Sequence, residues 1–206
     1  VGFDEKFAVR FLLRHKIHQN DVIILITTEG YKTNSKIITA INTLRNLTNS
    51  WVDKDHFVIL TVDLKKNFLE WAKSIHDVLD SYEPESIKAL LSGGMRAIII
   101  MTFVALQKYT KSRTINIEID FENLESYIKI PLHVLRLEKS IEFLKILKVV
   151  QENPGISIRE IARRMDISAP TISRKVKELK RLGLLVPDNS LIISKDGEFY
   201  IDYFEL

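Results

Sequence analysis

Two stretches of the 206-residue chain carry groups suited to gripping phosphate. The first is LLSGGMRAIII, residues 90–100, where a strand-like apolar run breaks at Ser92-Gly93-Gly94 and a helix-like run begins after Met95-Arg96. Adjacent glycines let backbone come close to a ligand or adopt positive φ. A helix opening just beyond them offers free N–H groups and the positive end of its dipole to an anion. Arg96 in its first turn can fork onto a phosphate. A cation there is otherwise unfavourable by about 0.3–1 kcal/mol, a cost that a bound anion offsets. The second stretch, residues 157–181, holds eight basic residues against three acidic ones, although the net charge of the whole chain is only +3. That local excess suits nucleic acid.

Glycine is scarce, with seven in the chain. Gly155, Gly183 and Gly197 read as turn residues of the C-terminal third. Gly2, Gly30, Gly93 and Gly94 each follow a strand or candidate strand, at the end where an open parallel sheet holds its ligands. Hydroxyls accompany them at Thr27, Thr28, Ser35 and Ser92, and Lys36 adds a charge at the start of a following helix. This rim reads as an anion pocket. The chain has no Gly-x-Gly-x-x-Gly and no Gly-Lys-Ser/Thr phosphate loop, which argues against dinucleotide cofactors and ATP hydrolysis. The lack of cysteine excludes disulfides, thiolate metal sites and a cysteine nucleophile. No carboxylate–histidine pair or metal cluster is legible at the strand ends. His15 and His18 read as solvated, Trp51 and Trp71 as packing residues, and no enzymatic activity is expected.

The elements that must position these residues follow from periodicity. β-Branched runs at 22–27, 57–62, 87–91 and 114–119 alternate with helical spacing over 5–16, 36–47, 65–79 and 95–109. Runs apolar on both faces imply an α/β Rossmann-like domain, a mostly parallel sheet with helices on both faces. Asp63 is placed to cap the third helix. The chain opens on Val1-Gly2 with no methionine, and part of a first strand is expected to precede it. Near Asp120 the alternation stops. The segment 127–132, with Pro131, reads as a connection, which gives a ligand-sensing domain over 1–127, a linker over 128–137 and a second domain over 138–206.

That second domain has the order of an α+β winged helix-turn-helix. A helix over 139–151 stops at Asn153-Pro154-Gly155. Ser157 and Glu160 form a Ser-x-x-Glu capping box ahead of a short helix. Ser168 caps a longer one that ends at Gly183, and segments 184–186 and 191–194 pair as a ribbon. Ile172, Val176, Leu179 and Leu182 make one stripe, which turns Pro170, Thr171, Arg174, Lys177 and Arg181 outward. Thr171 and Arg174 are placed to reach base edges. Ser168, Ser173, Lys177 and Lys180 suit phosphates, and Lys195, at the ribbon tip, suits a flanking backbone contact.

The segment SIREIARRMDISAPTISRKVKELKRLGLL resembles winged-helix regulators of the multiple-antibiotic-resistance and arsenic-sensor types. Over nearly the entire chain, VGFDEKFAVRFLLRH, VIILITTEGYKTNSKIITAI and LLSGGMRAIII, followed by a winged helix, resemble the CRISPR-associated Rossmann-fold (CARF) transcription regulators of archaea, of the Csa type. The resemblance implies a homodimer whose N-terminal domains bind a cyclic oligoadenylate, typically cyclic tetra-adenylate, across the two-fold axis. The ring would meet Gly2 and Phe3, Thr27, Thr28, Glu29 and Gly30, and Ser92, Gly93, Gly94, Met95 and Arg96. Lys36 is added from its charge and position. The resemblance further implies double-stranded DNA, a promoter of CRISPR genes or a CRISPR leader, as the partner of the C-terminal domain, with no cofactor and a cytoplasmic location. A nuclease that degrades the cyclic ligand and a regulator answering a different small anion are the alternatives. A ring of identical phosphates suits an isologous dimer, and paired winged helices suit a palindromic operator. No apolar run approaches the roughly 20 residues that span a bilayer.

Overall fold

The computed structural model describes residues 5–63, 65–112 and 114–206. Gly2 and Phe3 lie outside them. By contacts the chain divides into Val1–Leu132 and His133–Leu206. The first unit runs α1 (Lys6–Arg14), β1 (Ile23–Thr28), α2 (Ser35–Thr48), β2 (Phe57–Val62), α3 (Phe68–Tyr82), β3 (Ser86–Leu90), α4 (Arg96–Lys108), β4 (Thr114–Asp120) and β5 (Tyr127–Pro131). Parallel pairing joins β1 to β2, from Ile23↔Phe57 to Thr28↔Val62. A second ladder has the order β3-β4-β5, parallel in its first pair and antiparallel in its last.

Packing unites the two ladders. Alternate residues of a strand face opposite sides, and β1 uses both. Ile23 and Leu25 pack with Leu12 of α1 and Ile37, Ile41 and Leu44 of α2. Ile26, with Leu60 of β2 and Met101 of α4, packs against a cluster of Val62 of β2, Trp71 of α3 and Ile98 of α4. The last residue of β2 and the first turn of α4 therefore share one cluster, so the carboxyl ends of β1 and β2 lie beside the start of α4.

The β3–β5 ladder departs from the expected double-sided apolarity. Ile87 and Ala89, Ile115, Ile117 and Ile119, and Ile128 and Ile130 make one apolar face. The other carries Lys88, Asn116, Glu118, Asp120, Tyr127 and Lys129. Edge strand β5 occupies most of what reads as a connection in the sequence, and Pro131, which has no N–H to donate, closes it at the edge of the ladder. The stretch expected as a linker, 128–137, is β5 followed directly by the short α5 (Leu132–Leu135). Asp63 does not cap α3; its carboxylate accepts the Lys65 amide at 2.9 Å, and Asn67 caps the helix by accepting from Glu70.

The second unit holds α5, α6 (Ile141–Glu152), α7 (Ile158–Met165), α8 (Ala169–Arg181) and α9 (Lys195–Glu205). Its core joins Leu147 and Val150 of α6, Ile161 of α7, Ile172, Val176 and Leu179 of α8, and Leu184, Leu191 and Tyr200 beyond. Ser140, Ser157, Ser168 and Ser194 each accept a first-turn amide. The capping box is half formed: Ser157 accepts the Glu160 amide, while the Glu160 carboxylate turns to Arg163 and Arg164. The ribbon is a single antiparallel bridge, Leu185↔Ile193, with its tip at residues 187–190. Lys195 is not at that tip but opens α9, because Ser194 caps a helix there. Gly197 likewise sits inside α9 and not in a turn. An added Cβ at Gly197 would run into the Leu184 carbonyl oxygen and lie 2.8 Å from the Ile193 side chain. Glycine is what lets α9 close on the ribbon. Gly197→Ala is expected to destabilise the second unit by about 1–3 kcal/mol, read as a lowered urea midpoint against the parent.

Candidate ligand rim and DNA-binding surface

At the rim, backbone geometry separates the candidates. Gly93 has φ +72° and Gly30 φ +80°, so both glycines occupy the left-handed region. After Gly93 and Gly94, Met95 is the N-cap of α4 and offers no side-chain acceptor to its amides. The N-terminus of α2 differs, since Asn34 accepts the amides of Lys36 at 3.1 Å and Ile37 at 3.3 Å. First-turn amides of α4 therefore lack the capping that α2 has already supplied, and exposed Arg96 stands among them. Met95 is exposed; Thr28, Ser92, Gly93 and Gly94 are half-buried; Glu29, Gly30 and Lys36 are exposed. Thr27 is only 1% exposed, which points its side chain into the core and leaves backbone as its means of reaching a ligand.

Ser92 is not a free hydroxyl. Its Oγ accepts the Asp120 amide at 2.8 Å and donates to the Asp120 carbonyl at 3.3 Å. Asp120 closes β4, and its carboxylate takes a two-pronged bond from Arg14 at 2.9 and 3.1 Å. Arg14 also forms an ion pair with Glu118 at 2.9 Å, and His15 Nε2 meets the other Glu118 oxygen at 2.9 Å. Glu118 and Asp120 are both buried. The Asp120 hydrogen bond holds the Arg14 guanidinium above its ordinary value. His15 is thus no solvated residue, and a carboxylate–histidine pair does lie near the end of β4. The sequence hides it because residues 15 and 118 meet only through the fold. A polar alternation, Asn116, Glu118 and Asp120 amid isoleucines, was the one signal available. No three-residue His/Asp/Glu metal cluster occurs among the described residues.

On the second unit, α8 presents the outward set read from its periodicity. Ile172, Val176 and Leu179 are buried, whereas Pro170, Arg174, Lys177 and Arg181 are exposed and Thr171 and Ser173 half-buried. Ser168 caps the helix and its hydroxyl meets the Thr171 hydroxyl at 2.8 Å, with Arg174 at 3.5 Å from the latter. Several neighbouring cations are engaged. Lys180 bonds the Asp188 carbonyl at the ribbon tip, Lys175 pairs with Glu142, and Glu160 binds Arg163 and Arg164. Arg159, Lys177 and Arg181 form no ion pair among the described residues. Arg159 is a further exposed cation at the start of α7 that the sequence reading left out.

An α/β Rossmann-like unit followed by a winged helix is the architecture of a DNA-binding regulator. Residues 1–131 match the Csa3 CRISPR-associated Rossmann-like domain, and residues 144–186 match a winged helix-turn-helix DNA-binding family. The chain belongs to the first of these, the Csa3 CRISPR-associated Rossmann-like domain family. It is 26% identical over 190 residues, 90% of its own length and 77% of the relative's, to the "CRISPR locus-related putative DNA-binding protein Csa3" of Saccharolobus solfataricus.

The Glu118–His15 contact carries a pH signature. Burial, aided by Lys88 and Arg14, pushes His15 below its ordinary 6.5 against the pull of Glu118. An unfolded chain then binds more protons than the folded one just below pH 6.5, so stability falls as pH drops through that value. The urea midpoint is expected to decline from pH 7 toward pH 5 less steeply in His15→Gln than in the parent.

Proposed function

We propose that the chain is a ligand-responsive transcription regulator of CRISPR-Cas genes, a homodimer whose N-terminal units hold cyclic tetra-adenylate and whose winged helices bind promoter or leader DNA. The observation that carries the ligand half is the uncapped start of α4, with left-handed Gly93 before it and exposed Arg96 in its first turn. Open amides, the helix dipole and a first-turn guanidinium are the groups that suit a phosphate. Two-fold pairing has support in α4 itself. It is apolar nearly all round, and Ile100 is 62% exposed. A helix of that composition is ordinarily covered on every side, and a second copy of α4 would cover it while presenting the rim twice. The DNA half rests on α8, whose exposed Arg174 and Lys177 stand on a rigid, serine-capped helix. None of the helices described is long and apolar enough to cross a membrane, and the DNA-binding family match fits work inside the cell.

The test is a titration of promoter DNA with and without cyclic tetra-adenylate, alongside incubation with labelled ligand. Retention of intact ligand by a dimer and a shifted DNA affinity are expected. Turnover of the label would replace the sensor with a ring-degrading enzyme, and failure to bind it would leave a regulator answering another anion.

Arg96→Ala should leave the fold intact and weaken the ligand about tenfold or more, the loss of a charge-assisted hydrogen bond; unchanged calorimetric affinity counts against the rim. Arg174→Ala is expected to relax base preference, whereas Lys177→Ala weakens all sequences alike and lowers the salt slope by about 1, both read by fluorescence anisotropy across salt concentrations.

A further inference from the structure

We infer that Tyr127 is a stacking platform for a planar base of the molecule held at the rim, with Arg14 as its rigid backing. This rests on the rim reading above and deepens it, because it turns a phosphate site into a nucleotide site. Strand β5 runs antiparallel to β4, so its first residue, Tyr127, lies at the carboxyl end of β3 and β4, paired with Asp120. Asp120 is the residue whose backbone holds Ser92 in two hydrogen bonds. The Tyr127 backbone is thus one strand spacing, about 4.8 Å, from the Asp120 backbone that positions the Ser92-Gly93-Gly94 loop.

Scattered exposed aromatics are ordinary. Tyr127 differs in how it is fixed. The residue is 42% exposed, yet the Arg14 guanidinium lies over its ring at 3.8 Å from the centroid. Arg14 cannot drift away, being forked onto Asp120 and bonded to Glu118. Arg10 of the same helix also donates to the Leu124 carbonyl in the turn before β5. One side of the ring is therefore occupied by a clamped cation while much of the residue still meets solvent. Holding the ring before the ligand arrives removes the ordering cost of binding. Phosphate at the start of α4 and an aromatic surface close by match the two halves of a nucleotide; a small inorganic anion would use only the first. Stacking a base on such a ring contributes about 1–3 kcal/mol, roughly a 5–150-fold change in affinity.

The experiment measures cyclic tetra-adenylate binding to the full-length protein by calorimetry, in the parent, Tyr127→Phe and Tyr127→Leu. Tyr127→Phe is expected to bind as the parent does, and Tyr127→Leu to lose roughly 5–150-fold. Because the leucine variant removes a partner of Arg14, the unmutated protein supplies a second readout: stacking must shift the Tyr127 ring protons in its NMR spectrum when the ligand is added. The platform is overturned if the leucine variant binds as tightly as the parent, if phenylalanine loses as much as leucine, or if those ring protons do not move. A parent that takes up no cyclic tetra-adenylate overturns the rim reading itself and this inference with it, an outcome distinct from the other three.

Discussion

Glu118 and Asp120 lie buried on one face of β4, and both carboxylates meet the guanidinium of Arg14. A buried ion pair seldom adds net stability over a well-packed apolar alternative, because desolvation consumes most of the Coulombic gain. What this one supplies is position. Arg14 ends α1, whose apolar side packs against β1 and α2. Through that guanidinium and the neighbouring His15 the helix packed on one ladder is tied to the central strand of the other. The end of β4 is held in turn, and the end of β4 holds Ser92. Remove Arg14 and both buried carboxylates lose the partner they share beneath the rim.

Most helix starts are closed by a side chain, and those of α1 and α4 are not. Every helix of the second unit from α6 onward begins with a serine that accepts a first-turn amide, as α2 and α3 begin with asparagines. A surface that docks on duplex DNA as a rigid body gains from such closure, since phosphate contacts fix register only if the helix itself is fixed. At the rim, α4 is left without a side-chain cap. Its first-turn amides are left open to solvent or to an anion.

Charge on the winged helix is also more constrained than its composition suggests. Of the cations crowded between residues 157 and 181, Arg163, Arg164, Lys175 and Lys180 already have protein partners. The glutamate that takes both Arg163 and Arg164 is held below the usual carboxylate range, chiefly by Arg163. Exposed pairs of this kind contribute little stability and exchange readily for phosphate. Arg174 and Lys177, in contrast, face outward from a buried stripe and pair with no carboxylate among the described residues.

Local rules carried much of this chain. Ser157, Ser168 and Gly183 marked helix ends correctly because capping involves residues three or four apart, and the stripe Ile172, Val176, Leu179 followed from a period of 3.6. The loop at Ser92-Gly93-Gly94 was legible for the same reason, since positive φ is a property glycine carries by itself. Other features required the fold. Pro131 made β5 look like a connection, because pairing with β4 is a contact across a hairpin and not a periodicity. Lys195 looked like a ribbon tip until Ser194 and the close approach of Gly197 to Leu184 drew the chain into α9. Arg14, His15, Glu118 and Asp120 lie about a hundred positions apart in sequence and within 3.1 Å in space. Composition and spacing determined which elements form and which carry charge; tertiary packing alone decided which charges meet, because burial is what forces a carboxylate to find a partner.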